Sequence, residues 1–149
     1  MSDQSLISLY SEKLLGLAAG LDLTNPLSLP DAQVKRRSPL CGSVVTVEIA
    51  ILEERISQFH QDVKACALGQ ASAAVFGRHA IGLSYPEVKI LRDSVSLMLT
   101  KNGPSPAAPF EDLGYLEAAR DFKNRHDSIM LVFEATLEAF EQAQKKVSA

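Results

Sequence analysis

The sequence has little cysteine and no long hydrophobic run. Two cysteines among 149 residues are too few for the disulfide framework of a small secreted domain. No stretch reaches the roughly 18 apolar residues that span a membrane. The first residues, Met-Ser-Asp-Gln, lack the basic start of a secretory signal. These absences predict a cytoplasmic protein without membrane association.

A strong excess of either charge is lacking too. Lys and Arg number 15 and Asp and Glu number 18, giving a net charge of −3, so no nucleic-acid partner is expected. The sequence also has no Cys-x-x-Cys pair, phosphate-binding loop, dinucleotide glycine pattern or zinc-protease helix. The common cofactor and nucleotide sites are therefore not predicted.

The composition that remains is typical of one globular domain. Apolar residues make up 46% and charged residues 22% of the sequence, as in an ordinary chain that buries a core. We therefore expect a single domain over residues 1–149. A domain of this size needs no disulfide or metal to form its core.

The hydrophobic pattern predicts a helix and then strands in the first half. Residues 3–19 carry apolar side chains at helical spacing, and residues 21–33, with two prolines, are predicted as an extended linker. Residues 44–51 alternate as a half-buried strand does. After a polar turn at 53–55, residues 56–66 can return as an antiparallel partner.

The orientation of Cys66 stays open at this point. With Phe59 and Val63 facing inward, strict alternation places Cys66 on the outer face, but Ile56 breaks the alternation and indicates a bulge.

The second half predicts helices. Small residues favour a helix close to the sheet, a Ser-x-x-Glu capping box begins the next helix, and a proline-rich stretch forms a stiff linker. The last helix has Asp127 or Ser128 as a possible N-cap. The predicted segments are a helix over 70–81, the capping box at Ser84–Glu87, the linker over 103–109, a short helix over 111–120 and a helix over 128–146. This order predicts an α+β fold, a small antiparallel sheet packed against helices.

Three segments carry residues suited to chemistry. Cys41 lies between Pro39 and Gly42 after a basic run that could lower its pKa. Cys66 lies where a strand gives way to a helix, and His126 precedes the last helix. Each also has a plain structural explanation, since free cysteines are often buried and a loop histidine is often solvated.

These segments, in this order, resemble the iron–sulfur cluster assembly scaffold family of the IscU, SufU and NifU N-terminal type. Residues 38–43 look like its Pro-x-Cys-Gly-Asp motif, 68–73 like its Phe-Gly-Cys turn into a helix, and 125–129 like its third motif, Cys or His-Cys, before the final helix. The resemblance spans residues 5–145 and implies the fold shared by SufE, IscU and NifU-like proteins.

The chain departs from the ligand set of this family, which is three cysteines with an aspartate or a histidine. Cys41 keeps its register, while Ser43 stands at the aspartate position and Gln70 at the second cysteine. Ser128 stands at the third cysteine, or else the register shifts so that His126 and Asp127 match the His-Cys pair.

A divergent branch of the family has a similar Ala-Cys-Ala-Leu-Gly-Gln segment and a similar Arg-His start to the last motif. The resemblance therefore implies a functional Cys66 and His126 in a non-enzymatic scaffold or carrier for iron, zinc or a labile iron–sulfur cluster. The implied metal ligands are Cys41, Cys66, His126 and Asp127, and the implied lining residues are Ser43, Gln70, Arg125 and Ser128. The implied partners are a cysteine desulfurase and apo iron–sulfur proteins, with the chain a monomer or weak dimer.

Two other functions stay open. A sulfur-acceptor accessory of a cysteine desulfurase would carry a persulfide on Cys41 and need no metal. A partner-binding module would keep the fold and have lost the chemistry.

Overall fold

The computed structural model describes residues 10–148, with side chains to residue 146. The start of the predicted helix over 3–19 lies outside the described residues. The elements are α1 (Glu12–Ala19), β1 (Ala32–Arg37), β2 (Val44–Leu52), β3 (Arg55–Lys64), α2 (Ala67–Arg78), α3 (Tyr85–Lys101), two 3-10 helices (Glu111–Ala119 and Lys123–Arg125) and α4 (His126–Ser148). No described helix combines the length and the apolar character that crossing a membrane requires.

The strands form an antiparallel sheet in the order β1-β2-β3. The sequence pattern does not predict β1, and the linker predicted over 21–33 is wrong in its last two residues. In this strand only Ala32 and Val34 are buried, and the charged residues 35–37 hide the alternation. The alternation of buried and exposed residues in this six-residue edge strand is therefore too weak to predict a strand from the sequence.

The β2–β3 hairpin confirms the predicted turn and bulge. Glu53 and Glu54 have φ angles of 53° and 65°, as a two-residue hairpin turn requires. The register shifts at Ala50/Ile51, with Ser57 left between two paired residues. The extra residue turns Ile56 inward, where it is buried.

Helix α4 packs on the inner face of the sheet, against β1 and β2, and also contacts α2 and α3. Phe76 of α2 lies at the centre of this core, fully buried among other aromatic rings. The α4 residues that recur at helical spacing on its inner side are all buried: Ile129, Phe133, Thr136, Leu137 and Phe140. This packing fixes the N-terminus of α4 beside the β1–β2 loop.

The segment between α1 and β1 covers part of the outer face of the sheet. The backbone N–H of Leu27 and the side-chain amide of Gln33 donate to Glu48, at 3.1 and 3.3 Å, and Glu48 is only 6% exposed. His60 lies on the outer face of the sheet, yet it is buried, with Nδ1 2.7 Å from the Thr24 hydroxyl.

The helix boundaries confirm one expectation and correct another. Ser84 and Glu87 form the predicted capping box of α3. The N-cap prediction for Asp127 or Ser128 is wrong, because a 3-10 helix leads directly into α4, which begins at His126. Ser128 therefore lies inside the first turn, where its buried hydroxyl is free to contact another element.

Candidate functional site

The β1–β2 loop presents Cys41 on a closed turn. The backbone N–H of Ser38 donates to the carbonyl of Ser43 at 2.8 Å, and that of Gly42 donates to the carbonyl of Ser38 at 3.0 Å. Gly42 has a φ of 71°, which a glycine adopts without steric cost. The turn holds Cys41 half-buried, with its sulfur against the loop's own hydroxyls.

Three buried serines surround the Cys41 sulfur. Its Sγ lies 3.2 Å from the Ser38 hydroxyl, to which the thiol donates, and 3.3 Å from the Ser43 hydroxyl. The Ser43 hydroxyl in turn lies 3.0 Å from the Ser128 hydroxyl. Ser38 and Ser43 of the β1–β2 loop and Ser128 of α4 therefore form a polar cluster, the serine cluster, among buried apolar side chains.

Cys66 reaches the same cluster from the other side. It lies past the end of β3 and is the N-cap residue of α2, so the question of its strand face does not arise. Its Sγ lies 3.5 Å from the Ser128 hydroxyl. Both cysteines are free and half-buried, and both meet at the serine cluster.

The serine cluster lowers the pKa of the Cys41 thiol. Partial burial raises the pKa of this thiol. Once the thiol has lost its proton, the hydroxyls of Ser38, Ser43 and Ser128 and the Ser43 backbone can donate to the thiolate, and these hydrogen bonds outweigh burial. The net effect lowers the pKa of Cys41 to about 7. Hydrogen bonds favour the thiolate because they disperse its charge. The thiolate is the form that binds metal or attacks sulfur.

The rate of Cys41 alkylation tests this pKa. In a Cys66→Ser background, iodoacetamide is expected to react with a midpoint near pH 7, set by the Cys41 pKa of about 7. Ser38→Ala should move the midpoint upward because it removes one donor to the thiolate, whereas the exposed Ser28→Ala should leave it in place. A midpoint near the ordinary value of about 8.5 in the folded protein would contradict the hydrogen-bonding account.

Gly69 leaves room for the serine cluster. A Cβ at this position would lie 2.5 Å from the Ser128 hydroxyl, 2.8 Å from the Ala65 Cβ and 3.1 Å from the Ser128 carbonyl oxygen. The hydroxyl can rotate away, but the other two atoms are held by the fold. Alanine would gain about 1 kcal/mol of helix propensity, and this gain is opposed by the clash.

Gly69→Ala is therefore expected to lower the free energy of unfolding by about 1–2 kcal/mol, at the low end of overpacking costs. Urea unfolding measures this change. Gly16→Ala, in α1 with nothing within 4 Å of the added Cβ, is the matched control and should stabilise. Equal stabilisation by both variants would contradict the close approach.

The structure gives His126 backbone partners and leaves Asp127 exposed. Nε2 of His126 donates to the carbonyls of Ala119 and Arg120, at 2.9 and 3.1 Å. Asp127 is exposed and lines a surface groove beside Ser38 and β1. Among the residues that the structure describes, no group of three or more His, Cys, Asp or Glu side chains could hold a metal ion. Metal ligation by these two residues stays a prediction.

Only two of the four predicted lining residues contact a cysteine sulfur. The Ser43 hydroxyl contacts Cys41, and the Ser128 hydroxyl contacts Cys66. The Gln70 side chain folds back and donates to the carbonyl of Ala65 at 2.9 Å, beside Cys66. Arg125 is half-buried in the short 3-10 helix before α4.

Sequence reasoning missed Ser38. Its hydroxyl is buried and contacts the Cys41 sulfur, because the turn that closes the loop brings residues 38 and 41 together. The spacing Ser-Pro-x-Cys-Gly was the available signal, since proline and glycine within four residues indicate a tight turn.

The fold has clear relatives among solved structures. The N-terminal part of a nitrogen-fixing NifU-like protein from Brucella abortus is 38% identical, over 95% of this chain and 99% of that chain, with a TM-score of 0.90. This chain belongs to the NifU-like family. The membership confirms the resemblance to the IscU, SufU and NifU type and the predicted α+β fold.

A more distant solved structure shares the fold alone. A candidate iron–sulfur cluster assembly scaffold protein for the SUF system, from Fervidobacterium islandicum, is 16% identical over 90% of this chain and 98% of that chain, with a TM-score of 0.79. No family model and no curated protein matches this chain.

Proposed function

We propose that this chain is a non-enzymatic scaffold or carrier that holds iron–sulfur cargo through Cys41 and Cys66. The observation that carries the proposal is the meeting of both thiols at the serine cluster, although 62 residues separate Cys66 from Ser128. The family's solved relatives add support, since one of them is named as a candidate cluster assembly scaffold. The donor would be a cysteine desulfurase and the recipients apo iron–sulfur proteins.

The chemistry of the site suits transient binding. Thiolates are the preferred ligands of iron–sulfur clusters, and this chain offers two of them, both reachable from solvent. Hydroxyls that donate to the Cys41 sulfur reduce the charge it gives to iron. Because the chain offers only two thiolates and one of them binds iron less strongly, the site favours a cargo that is bound transiently and then released. Additional ligation by His126 or Asp127, a zinc cargo and a cytoplasmic location remain predictions.

Anaerobic reconstitution with iron and sulfide tests this function. The wild-type protein is expected to gain a visible absorption band, with iron and labile sulfide in equal amounts. Cys41→Ser and Cys66→Ser should each lose the band, whereas Ser28→Ala should keep it. Wild-type protein without a band, iron or sulfide would contradict the proposal.

A sulfur-acceptor role is the second candidate, favoured by the surroundings of Cys41. This thiol is half-buried on a loop whose neighbour Leu40 is 67% exposed, so a partner enzyme could reach it. After incubation with a cysteine desulfurase and cysteine, this role predicts a Cys41 heavier by one sulfur atom in protein that holds no metal. Full function of a variant lacking both cysteines would instead indicate a partner-binding module.

A further inference from the structure

We propose that the open edge of β1 docks an extended acidic segment of a partner protein, which adds a strand to the sheet beside the loop that carries Cys41. The inference goes beyond the proposed function, since it concerns how a partner is recognised and needs neither cysteine. β1 is the outermost strand of the order β1-β2-β3, so only one of its two sides is paired. Unpaired strand edges bind extended segments through backbone hydrogen bonds.

The register of β1 leaves every second residue with free backbone groups. The N–H of Ser38 donates to the carbonyl of Ser43, a bond that continues the antiparallel register of β1 and β2. Hydrogen-bonded and non-hydrogen-bonded pairs alternate along such strands, so Gln33, Lys35 and Arg37 direct their N–H and C=O groups away from β2. In the part of the chain that the structure describes, no other strand lies along this edge. The edge is therefore available for a further strand.

The surface groove beside β1 would hold alternate side chains of the added strand. It has a volume of about 460 Å³ and lies between the end of β1 and helices α3 and α4. Met130 and Leu131 of α4 give it apolar surface. Arg92 is already paired with Asp93 and Glu134, at 2.6 and 2.7 Å. Apolar side chains of a docked segment are therefore favoured on this side.

The outer face of the edge favours acidic side chains. Lys35 and Arg37 are exposed there and join none of the ion pairs among the described residues. They lie across from Thr46 and Val44 of β2, which carry no charge. Opposite charges on neighbouring strands stabilise the pairing. Asp127 is exposed in the groove, so acidic side chains of the segment are favoured on the outer face alone.

The same charges argue against a second copy of this chain as the occupant. An antiparallel pairing of two β1 edges brings Lys35 and Arg37 of each copy together, and like charges on neighbouring strands destabilise the pairing. Charged side chains on an edge prevent self-association in this way. An acidic partner has no such barrier. Because β1 leads through Ser38 into the loop that carries Cys41, a docked segment brings its protein beside the two cysteines.

Hydrogen exchange followed by NMR tests the docking. The probe is a short synthetic peptide of alternating glutamate and valine, added to the full chain at low salt, where surface charges are least screened. The amides of Gln33, Lys35 and Arg37 are expected to exchange at least about tenfold more slowly with the peptide, because each gains a hydrogen-bond partner. A peptide of alternating lysine and valine should give no protection.

Two substitutions at one position separate backbone pairing from charge. Lys35→Ala removes the charge and keeps the edge N–H, so it should weaken peptide binding by only about two- to fivefold. Lys35→Pro also removes that donor, which β2 does not use, and should weaken binding by at least about tenfold. Lys64→Ala, at the end of β3, is the matched control and should leave binding unchanged. If the proline variant unfolds in urea too readily, Lys35→Glu with Arg37→Glu replaces it and should reverse the preference to the lysine peptide.

The outcomes are independent of the proposed function. Binding should persist in a variant without either cysteine, so a loss of iron–sulfur cargo leaves the docking intact. Equal binding by Lys35→Ala and a folded Lys35→Pro, or no protection of the edge amides up to about 1 mM peptide, would overturn the docking site. Protection of the same amides by dimerisation of the free chain would place a second copy on the edge and would also overturn it.

Discussion

Cys66→Ser is expected to lower the affinity for iron–sulfur cargo by at least about 100-fold. Replacing a residue that only supports a metal ligand typically lowers metal affinity by about 10–100-fold, and the loss of a ligand itself should exceed that. The reason is the ligand count, because this chain has no third cysteine to take the place of the lost one. Iron and sulfide content after gel filtration measures the loss. Stability should change little, since serine is nearly isosteric with cysteine and the position is half-buried.

Ser128→Ala is the informative companion to this variant. It keeps both thiols and removes the hydroxyl between them, so it should reduce retention of the cargo without abolishing binding. Cargo retention in Cys66→Ser equal to that of wild type would show that Cys66 is a structural residue and that Cys41 acts without it.

Phe76→Ala is expected to lower the free energy of unfolding by about 3–5 kcal/mol. Phe76 is 0% exposed, and its ring packs edge-on against Phe59 and Phe133, with centroids 5.7 and 5.4 Å away. It also stacks on Phe110 at 6.3 Å. Truncation therefore leaves a cavity where α2, α4 and β3 meet. Urea or thermal unfolding measures the loss.

The exposed Leu23→Ala provides the control for Phe76→Ala. Its side chain is 96% exposed, so the change in stability should stay within about 0.5 kcal/mol. A Phe76→Ala loss below about 1 kcal/mol would show that the aromatic cluster is not the centre of the core.

Local patterns predict the parts of the fold that local physics decides. The alternation in β2 and the capping box at Ser84 and Glu87 depend on neighbours in sequence, and both predictions are confirmed. β1 escapes prediction because its last three residues are charged, and Arg36 on the inner face pairs with Glu138 of α4 in place of an apolar contact. The burial of Glu48 escapes it as well, since a segment about twenty residues earlier in the chain covers that face.

The same distinction between local and long-range contacts applies to the candidate site. The turn that presents Cys41 follows from Pro39 and Gly42, which the sequence displays. The contact between Cys66 and Ser128 joins two elements through the packing of α2 on α4, which no local pattern encodes. The direction of His126 is likewise decided by two carbonyls at the end of a 3-10 helix.

The central claim is that Cys41 and Cys66 together hold the cargo, and X-ray absorption at the iron edge tests it most directly. Reconstituted wild-type protein is expected to show sulfur around iron, at about 2.3 Å, the distance typical of metal–thiolate bonds. Iron surrounded by nitrogen or oxygen alone, or the same iron content in a variant that lacks both cysteines, would contradict this account.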